Sequence, residues 1–436
     1  MSARTTTPHG WSLTAIKNIC TFSRGISWKK SQERRDPTPD GTPVLRIPNV
    51  QDTLRLTDLI YVDGVTQDQK KKAQVRAGCT LLVGSNGNPK RVGNCVYVAE
   101  PRNFLFASFL IGARPSGRQM HGEFLYRLLS SRPVQNDIWN SVQGSTGLRN
   151  IDLNALKSLR VLVPPLLEQR KIALILSSMD EAIGKTQAII DQVHVVRRGL
   201  MRTLFTQGVP GKHRRSKPLL GWRFGRVASN LERIPESWAL VPIVSVAKLE
   251  SGHTPSRRNP EYWNGSIPWI SLHDTASLDE PEIAETKHTI SDLGLRNSSA
   301  RLLPGGTVVF SRTATVGKST IMAREMSTTQ DFANYICGPR LHNRYLMQLF
   351  RHMQPEWRRL MAGSTHKTVY MPIFRQLQIL LPPLSEQEEI ANVLECLDDR
   401  IASETRQQAQ LRELKAALMS VLLTGELRVT PNPEPE

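Results

Sequence analysis

The sequence predicts an α+β protein in which two domains of mixed sheet and helix form a tandem repeat, each followed by a long helix. The chain has 436 residues, more than the roughly 250–300 at which a single hydrophobic core stops growing, so two or more domains are expected. The chain also aligns with itself, in one constant order. Each copy ends in a stretch whose apolar residues recur every three or four positions, which is typical of long paired helices.

The internal repeat is fixed at both ends of each copy. Near the start, residues align at an offset of 227 positions, and the aligned pairs are Trp11 with Trp238, Leu13 with Leu240, Ile16 with Ile243 and Gly25 with Gly252. Near the end, the motif P-P-L-x-E-Q occurs at residues 164–169 and again at 382–387, an offset of 218. The second copy is therefore shorter in its middle, and the two copies share a frame around a variable segment.

The double proline and the following glutamate indicate a helix start in each copy, because proline fits the first turn and an acidic side chain suits the positive end of the helix dipole. The apolar stripe predicts a coiled-coil interface, for which we select Ile172, Leu176, Met179, Ile183, Ile390, Leu394, Leu397 and Ile401. Polar residues interrupt the two stripes at Thr186, Arg197, Glu404, Gln408 and Lys415. The alternative is that each helix only covers its own domain.

These patterns divide the chain into segments. We predict a first mixed domain at 1–160 and a helix at 161–208. A basic linker rich in Gly and Pro follows at 209–234, and the second mixed domain spans 235–378. The second helix is predicted at 379–428, and the last residues, 429–436, are expected to be disordered because they carry no apolar anchor.

Charge and composition favour a polyanionic partner. The chain has 57 Lys+Arg against 39 Asp+Glu, a net charge of +18, which attracts nucleic acid. A generally basic protein or a binder of anionic membranes is the alternative. No apolar run approaches the roughly 20 residues of a membrane-spanning helix, so we expect a cytoplasmic protein. The five cysteines form no C-x-x-C pair, which argues against a zinc site and a disulfide framework.

Several motifs resemble one known family. The segments P-P-L-L-E-Q-R-K-I-A (residues 164–173) and P-P-L-S-E-Q-E-E-I-A (382–391) resemble the conserved regions of type I restriction-modification specificity (S) subunits. Residues 251–270 are similar to the opening of many target-recognition domains of that family, and residues 43–50 look like the matching strand. The first copy lacks the N-P-E-Y-W block of the second, which bears on the bases that each half reads.

The resemblance implies a non-catalytic DNA-specificity subunit that binds a bipartite site with one target-recognition domain per half-site. It implies two antiparallel coiled-coil helices between the domains and an approximate twofold axis. The implied partners are double-stranded DNA, two methyltransferase (M) subunits and restriction/translocase (R) subunits. S-adenosylmethionine, ATP and Mg²⁺ are then expected on those subunits, with no cofactor and no metal in this chain. The alternatives are a free-standing DNA-modifying enzyme and a coiled-coil scaffold that does not bind DNA.

Candidate DNA-binding residues come from basic clusters and from a recurring G-S-T segment, because Lys and Arg supply phosphate affinity and small hydroxyl residues donate to phosphate. They are Lys29, Lys30, Arg34, Arg46, Lys90, Arg91, Ser145, Thr146, Arg257, Arg258, Arg312, Lys318, Ser364, Thr365 and Lys367. The segment T-V-G-K-S-T at 315–320 is not expected to be a P-loop, because Arg312 stands where the leading glycine would be. No residue is predicted to be catalytic.

Overall fold

The computed structural model describes residues 7–142, 147–361 and 368–430, and the chain forms two compact units. The first unit consists of Met1–Thr186 and Arg406–Glu436, and the second consists of Gln187–Thr405. Each unit thus holds one copy of the mixed domain together with part of each long helix.

The first half of the chain contains, in order, β1 (Ser12–Ala15), α1 (Ile16–Ile19), β2 (Cys20–Arg24), β3 (Glu33–Arg34), β4 (Thr42–Leu45), β5 (Ile60–Val62), α2 (Gln67–Ala73), β6 (Cys79–Val83), β7 (Ser85–Asn86), β8 (Cys95–Val98), β9 (Leu105–Phe106), β10 (Leu110–Pro115), α3 (Gly122–Leu129), α4 (Arg132–Asn140), β11 (Arg149–Asn150), α5 (Leu153–Ser158), β12 (Arg160–Val163) and α6 (Leu166–Leu204).

The second half contains β13 (Ser216–Pro218), β14 (Arg233–Pro235), β15 (Ala239–Pro242), β16 (Ala247–Ser251), β17 (Trp263–Ile270), β18 (Glu282–Ile283), β19 (Thr289–Ile290), α7 (Asp292–Arg296), β20 (Val308–Ser311), β21 (Ser319–Met322), β22 (Ser327–Thr328), β23 (Phe332–Cys337), α8 (Asn343–His352), α9 (Gln354–Met361), α10 (Met371–Gln376), β24 (Gln378–Leu381) and α11 (Leu384–Leu422).

The two units have matching sheets. In the first unit one sheet has the order β2-β10-β6-β8, and in the second the order is β16-β23-β20-β21, with β18 added at the edge. A smaller sheet joins β5, β4 and β9 in the first unit and β19, β17 and β22 in the second, with β4–β9 and β17–β22 both parallel. The predicted α+β class and the tandem repeat of mixed domains are confirmed.

The P-P-L-x-E-Q frame makes the same hydrogen bonds in both units. Trp11 Nε1 donates to Glu168 Oε2 (3.0 Å), and Trp238 Nε1 donates to Glu386 Oε2 (2.9 Å). The adjacent Gln169 donates to the carbonyl of Pro164 and accepts from the backbone N–H that precedes α3. In the second unit Gln387 does the same with Pro382 and with the residue before α8. Because buried polar groups must be paired, these contacts explain why both copies keep Trp, Glu and Gln.

The long helices α6 and α11 pack antiparallel. In the first unit Lys415 Nζ contacts Asp180 Oδ1 (2.5 Å), and Gln408 Nε2 donates to the carbonyl of Ile183 (3.4 Å). Residue numbers therefore increase along one helix in the direction in which they decrease along the other. In the second unit Arg197 Nε contacts Asp398 Oδ1 at 2.6 Å. The predicted pairing of the two helices is confirmed, and the polar interruptions at 197 and 415 prove to be ion-pair positions.

The selected apolar residues fall into two groups. Ile172 and Leu176 are fully buried in one cluster that contains domain residues as well as Leu422 of the partner helix. In the second unit Ile390 and Leu394 are likewise buried with Leu204 and with domain residues. The start of each helix therefore covers its own domain and also contacts the other helix. The remaining four residues are half-buried, namely Met179, Ile183, Leu397 and Ile401.

The segment predicted as a linker, residues 209–234, is folded onto the second unit. It contains the antiparallel pair β13–β14, and Leu219, Trp222 and Phe224 pack against the core of that unit. At the other predicted flexible segment, 429–436, Val429 packs against the core of the first unit, whereas residues 431–436 lie outside the described part of the chain. Within the described part, no helix is both long enough and apolar enough to cross a membrane.

Candidate nucleic-acid interface

Four loops of the second unit meet beside its five-stranded and three-stranded sheets: residues 252–258, 271–275, 311–318 and 329–331. His253 N donates to the carbonyl of Thr328 (2.9 Å), and Arg312 N donates to the carbonyl of Asp331 (3.0 Å). Lys318 Nζ donates to the carbonyl of Thr275 (3.1 Å). These contacts fix four separate stretches of sequence as one surface, which we call the second loop cluster.

The first unit has a matching arrangement, the first loop cluster, made of residues 25–30, 46–50, 84–91 and 107–109. Ile26 pairs with Ala107, Gly84 N donates to the carbonyl of Phe109 (2.8 Å), and an Arg91 nitrogen donates to the carbonyl of Val50 (3.3 Å). The order of the loops along the chain is the same in both units.

The aligned Gly25 and Gly252 allow this close approach of loops. A Cβ at Gly25 would overlap the carbonyl oxygens of Phe106 and Ala107, and a Cβ at Gly252 would overlap those of Thr328 and Thr329. Any other residue would push the strand away from the neighbouring loop. This steric requirement explains why glycine recurs at the same position of the repeat.

A side chain caps the loop after β4 and after β17. Asn49 Oδ1 accepts from Arg46 N (2.7 Å), and Asp274 Oδ2 accepts from Ser271 N (2.9 Å) at the equivalent place. Both capping side chains are buried. The sequence analysis did not select them, although Asn and Asp at equivalent positions of two copies were an available signal.

A cavity of about 370 Å³ opens in the second loop cluster. Arg257 lines it, and its guanidinium also lies 5.8 Å from the ring centre of Trp263. Thr254 Oγ1 donates to Gln330 Oε1 (2.9 Å) across the cavity. The other lining residues are Trp269, Ser271, Leu272, His273, Thr329 and Asp331. Such a mixture of donors and acceptors can contact base edges as well as phosphates.

Arg91 and Lys318 occupy equivalent positions, and both are half-buried and held by hydrogen bonds within the protein. Arg91 donates to the carbonyls of Ile47 and Val50, and Lys318 donates to that of Thr275 and pairs with Asp279 (2.5 Å). Each cation thus ties one loop of its cluster to the next. Arg312 acts similarly, since its Nε donates to the carbonyl of Gln330 (2.8 Å), and burial lowers the pKa of its guanidinium.

The other basic candidates differ in how freely they face solvent. Lys29, Lys90 and Arg258 are exposed. Lys30 is exposed too, but pairs with Glu33 (2.8 Å).

Arg34 pairs with Asp63 (3.1 Å), while a nitrogen of Arg46 donates to the carbonyl of Asp58 (2.9 Å). The Arg46 Nε is buried and has no hydrogen-bond partner in the described structure, so one hydrogen-bond donor of this side chain remains unpaired.

Five candidates lie outside the described residues: Ser145, Thr146, Ser364, Thr365 and Lys367. The residues that follow each G-S-T segment pair with a cluster loop, as β11 pairs with β7 and Thr368 pairs with Thr313. The T-V-G-K-S-T segment runs into strand β21, whereas a phosphate-binding P-loop runs into a helix.

Four residues that line the cavity were not predicted from the sequence: Thr254, His273, Gln330 and Asp331. Single polar residues in loops carry no local pattern, so only their convergence in space marks them. Of the predicted residues, the second loop cluster contains Arg257, Arg258, Arg312 and Lys318, and the first contains Lys29, Lys30, Arg46, Lys90 and Arg91.

Comparison with known proteins gives a consistent result. The family model of the type I restriction modification DNA specificity domain matches residues 8–195 and 235–413. The chain is 25% identical over 427 residues to the specificity subunit assigned to the type I restriction enzyme MjaX of Methanocaldococcus jannaschii, covering 97% of this chain and 95% of that one. It is 24% identical to the MjaVIII specificity subunit of the same organism, over 70% of each chain. The crystal structure of a type I restriction-modification S subunit from M. genitalium has a similar fold, with a TM-score of 0.57, 12% identity and 99% of each chain covered.

Proposed function

Because the chain belongs to the type I restriction modification DNA specificity domain family, we propose that it is the DNA-specificity subunit of a type I restriction-modification complex. It recognises DNA and performs no catalysis itself. The observation that carries this proposal is the pair of matched loop clusters, one in each copy of the family domain. Two similar but non-identical reading surfaces on one chain suit a bipartite site with a different half-site for each.

Physical features of the clusters support a DNA partner. Both clusters contain exposed cations, namely Lys29 and Lys90 in the first and Arg258 in the second. Cations of this kind supply the phosphate attraction on which most DNA affinity depends. The polar cavity of the second cluster can then distinguish bases, with Gln330 and Arg257 as the side chains able to make paired hydrogen bonds to a base edge.

The same function assigns partners to the long helices. We propose that two methyltransferase subunits bind these helices and that restriction/translocase subunits join them, in the cytoplasm. Large apolar side chains on the helices remain exposed, including Leu174 (56%), Val195 (52%) and Leu414 (50%). A partner that packs along the helices would remove these side chains from water, which favours binding by about 25 cal/mol per Å² of buried apolar surface. S-adenosylmethionine, ATP and Mg²⁺ then belong to those partner subunits.

The test is methylation mapping of DNA from a host that expresses this chain with its methyltransferase subunit. We expect one methylated motif made of two half-sites and a fixed spacer. The variant Gln330→Ala should change the bases of one half-site only, and the exposed-surface variant Glu285→Ala serves as a control that should change neither.

Other results would overturn the proposal. A continuous motif, or no motif, would contradict a bipartite specificity subunit. Methyl transfer or cleavage by the purified chain alone would favour a free-standing enzyme. A chain without salt-sensitive duplex binding would instead be a scaffold.

A further inference from the structure

Residues 209–234, which we call the inter-repeat hairpin, form a rigid addition to the two copies of the family domain. They fall between the two matched segments, 8–195 and 235–413. Beyond the β13–β14 pair, Trp222 Nε1 donates to the carbonyl of Gln378 (3.1 Å), and Gly225 N donates to Glu356 Oε1 (3.0 Å). The hairpin is therefore held in place by the second unit.

The first residues of the hairpin already complete the contacts that the repeat needs. Val209 N and His213 Nε2 both contact Glu386 Oε1, at 3.2 and 2.6 Å. In the first unit, Arg428 supplies the equivalent contacts to Glu168, at 2.8 and 2.9 Å. The frame glutamate is thus satisfied in each unit by the segment that follows a long helix. Arg214 and Arg215 have no part in this structural role.

The inter-repeat hairpin is strongly basic, and its cations fall into two groups. One group is used within the protein: Lys212 pairs with Glu389, Lys217 Nζ donates to the carbonyl of Glu236 (2.8 Å), and Arg233 Nε donates to Ser216 Oγ (2.9 Å). Arg226 belongs to this group too, since its Nε lies 4.0 Å from Glu356 Oε2. The other group consists of Arg214, Arg215 and Arg223. All three are exposed, and in the described part of the chain none of their guanidinium groups has a hydrogen bond or an ion pair.

Of these three arginines, Arg214 and Arg215 lie together at a concave surface. A cavity of about 480 Å³ is lined by both of them, by His213 and Arg233, and by the single residue Glu232 as a carboxylate among the described lining. The remaining lining residues are Thr206, Gln207, Ser216, Asn230, Leu231, Ile234 and Pro235. The net charge of this surface is positive, and its free donors are guanidinium groups, which match phosphate oxygens.

We propose that Arg214 and Arg215 bind the phosphates of duplex DNA, independently of sequence, as a contact surface separate from the two loop clusters. The inference rests on the proposed function, since a duplex held by the clusters is present at high effective concentration around the rest of the chain. The charge complementarity of the cavity supports the same occupant, as does the fact that these two side chains have no partner among the described residues.

The test compares three double variants of the full chain in duplex binding at KCl concentrations between about 50 and 200 mM. The variant Arg214→Gln/Arg215→Gln removes both cations, and Arg214→Lys/Arg215→Lys keeps the charge. The matched control Arg406→Gln/Arg412→Gln removes two exposed arginines from α11 in the other unit. The probe is a duplex of arbitrary sequence, and thermal unfolding checks that all variants fold.

We expect the slope of log K against log salt to fall by about 1.8 for the glutamine variant, because each phosphate contact contributes about 0.9. The lysine variant and the α11 control should keep the wild-type slope. Equal slopes for the glutamine variant and the wild type would overturn the inference while leaving the proposed function intact. Equal losses in the glutamine variant and the α11 control would also overturn it, since they would indicate a general charge effect. A lower salt slope of the glutamine variant with single-stranded RNA but not with duplex DNA would overturn the inference in favour of another polyanion. Wild-type protein without salt-sensitive duplex binding would overturn the proposed function itself.

Discussion

The largely buried ion pair between the long helices gives the sharpest test of the packing described above. In the second unit Arg197 contacts Asp398 through two nitrogens, at 2.6 and 3.1 Å. Gln348 closes the group, since it accepts from Arg197 (2.9 Å) and donates to Asp398 (2.8 Å). The two charged side chains are only 16% and 24% exposed, so each depends on the other for solvation. The prediction concerns Asp398→Leu, which leaves the guanidinium without a counter-charge.

The expected loss follows from the burial of the pair. Removing one partner of a buried ion pair costs about 3–5 kcal/mol, and we expect about 3 kcal/mol because part of each side chain reaches water. For a folding unit of about 150–250 residues, 1 kcal/mol shifts Tm by about 2–4 °C, so the unfolding of the second unit should shift down by roughly 6–12 °C. Replacing both residues, as Arg197→Met/Asp398→Leu, should restore most of the stability, since apolar residues of similar volume often replace a buried pair at little cost.

Differential scanning calorimetry of the four proteins of this double-mutant cycle measures the coupling. The control Asp399→Leu makes the same chemical change at the adjacent exposed position and should alter stability by no more than about 0.5 kcal/mol. If the double variant is as unstable as the sum of the single variants, the two residues do not interact and the reasoning is refuted. The same cycle on Asp180 and Lys415 examines the equivalent contact of the first unit.

Three further predictions address other parts of the chain. Gly252→Ala should destabilise the second unit by more than about 2 kcal/mol, because the added Cβ would overlap backbone carbonyls. Gly184→Ala should stabilise its helix by up to about 1 kcal/mol, because a Cβ there meets nothing within 4 Å. Chemical denaturation measures both changes in the free energy of unfolding. Burial lowers the pKa of His352 to about 4, so the stability that its neutral form contributes is present above about pH 6.5 and is lost as the pH falls towards 4. The variant His352→Phe should therefore show a weaker pH dependence of stability in unfolding measured between pH 4 and 7. An unchanged pH dependence would exclude His352 as its source. The double variant Lys29→Gln/Lys90→Gln should lower the slope of log K against log salt for duplex binding by about 1.8. Arg91→Gln should chiefly lower the Tm of the first unit, because the Arg91 guanidinium donates to two backbone carbonyls. A lower slope without a lower Tm for Arg91→Gln would instead make Arg91 a phosphate contact.

The sequence alone determined the architecture of this protein because the relevant signals are local or repeated. The apolar stripes identified both long helices, since helical periodicity is written in consecutive residues. The repeated Trp, Gly and P-P-L-x-E-Q positions identified two equivalent domains, since identical contacts, such as those of Glu168 and Glu386, need identical residues. The same repeated residues carried the family resemblance, and so the function.

The tertiary structure alone decided which side chains meet. Asp180 pairs with Lys415, and Asp398 pairs with Arg197, both across more than 200 positions of sequence, a separation that leaves no local pattern. Arg91 and Lys318 looked like surface cations, yet backbone carbonyls of a neighbouring loop hold them, because loop carbonyls that lack strand partners accept the nearest donor. The Gly- and Pro-rich composition of residues 209–234 suggested a linker, whereas the segment folds because the second unit offers its apolar side chains a core on which to pack.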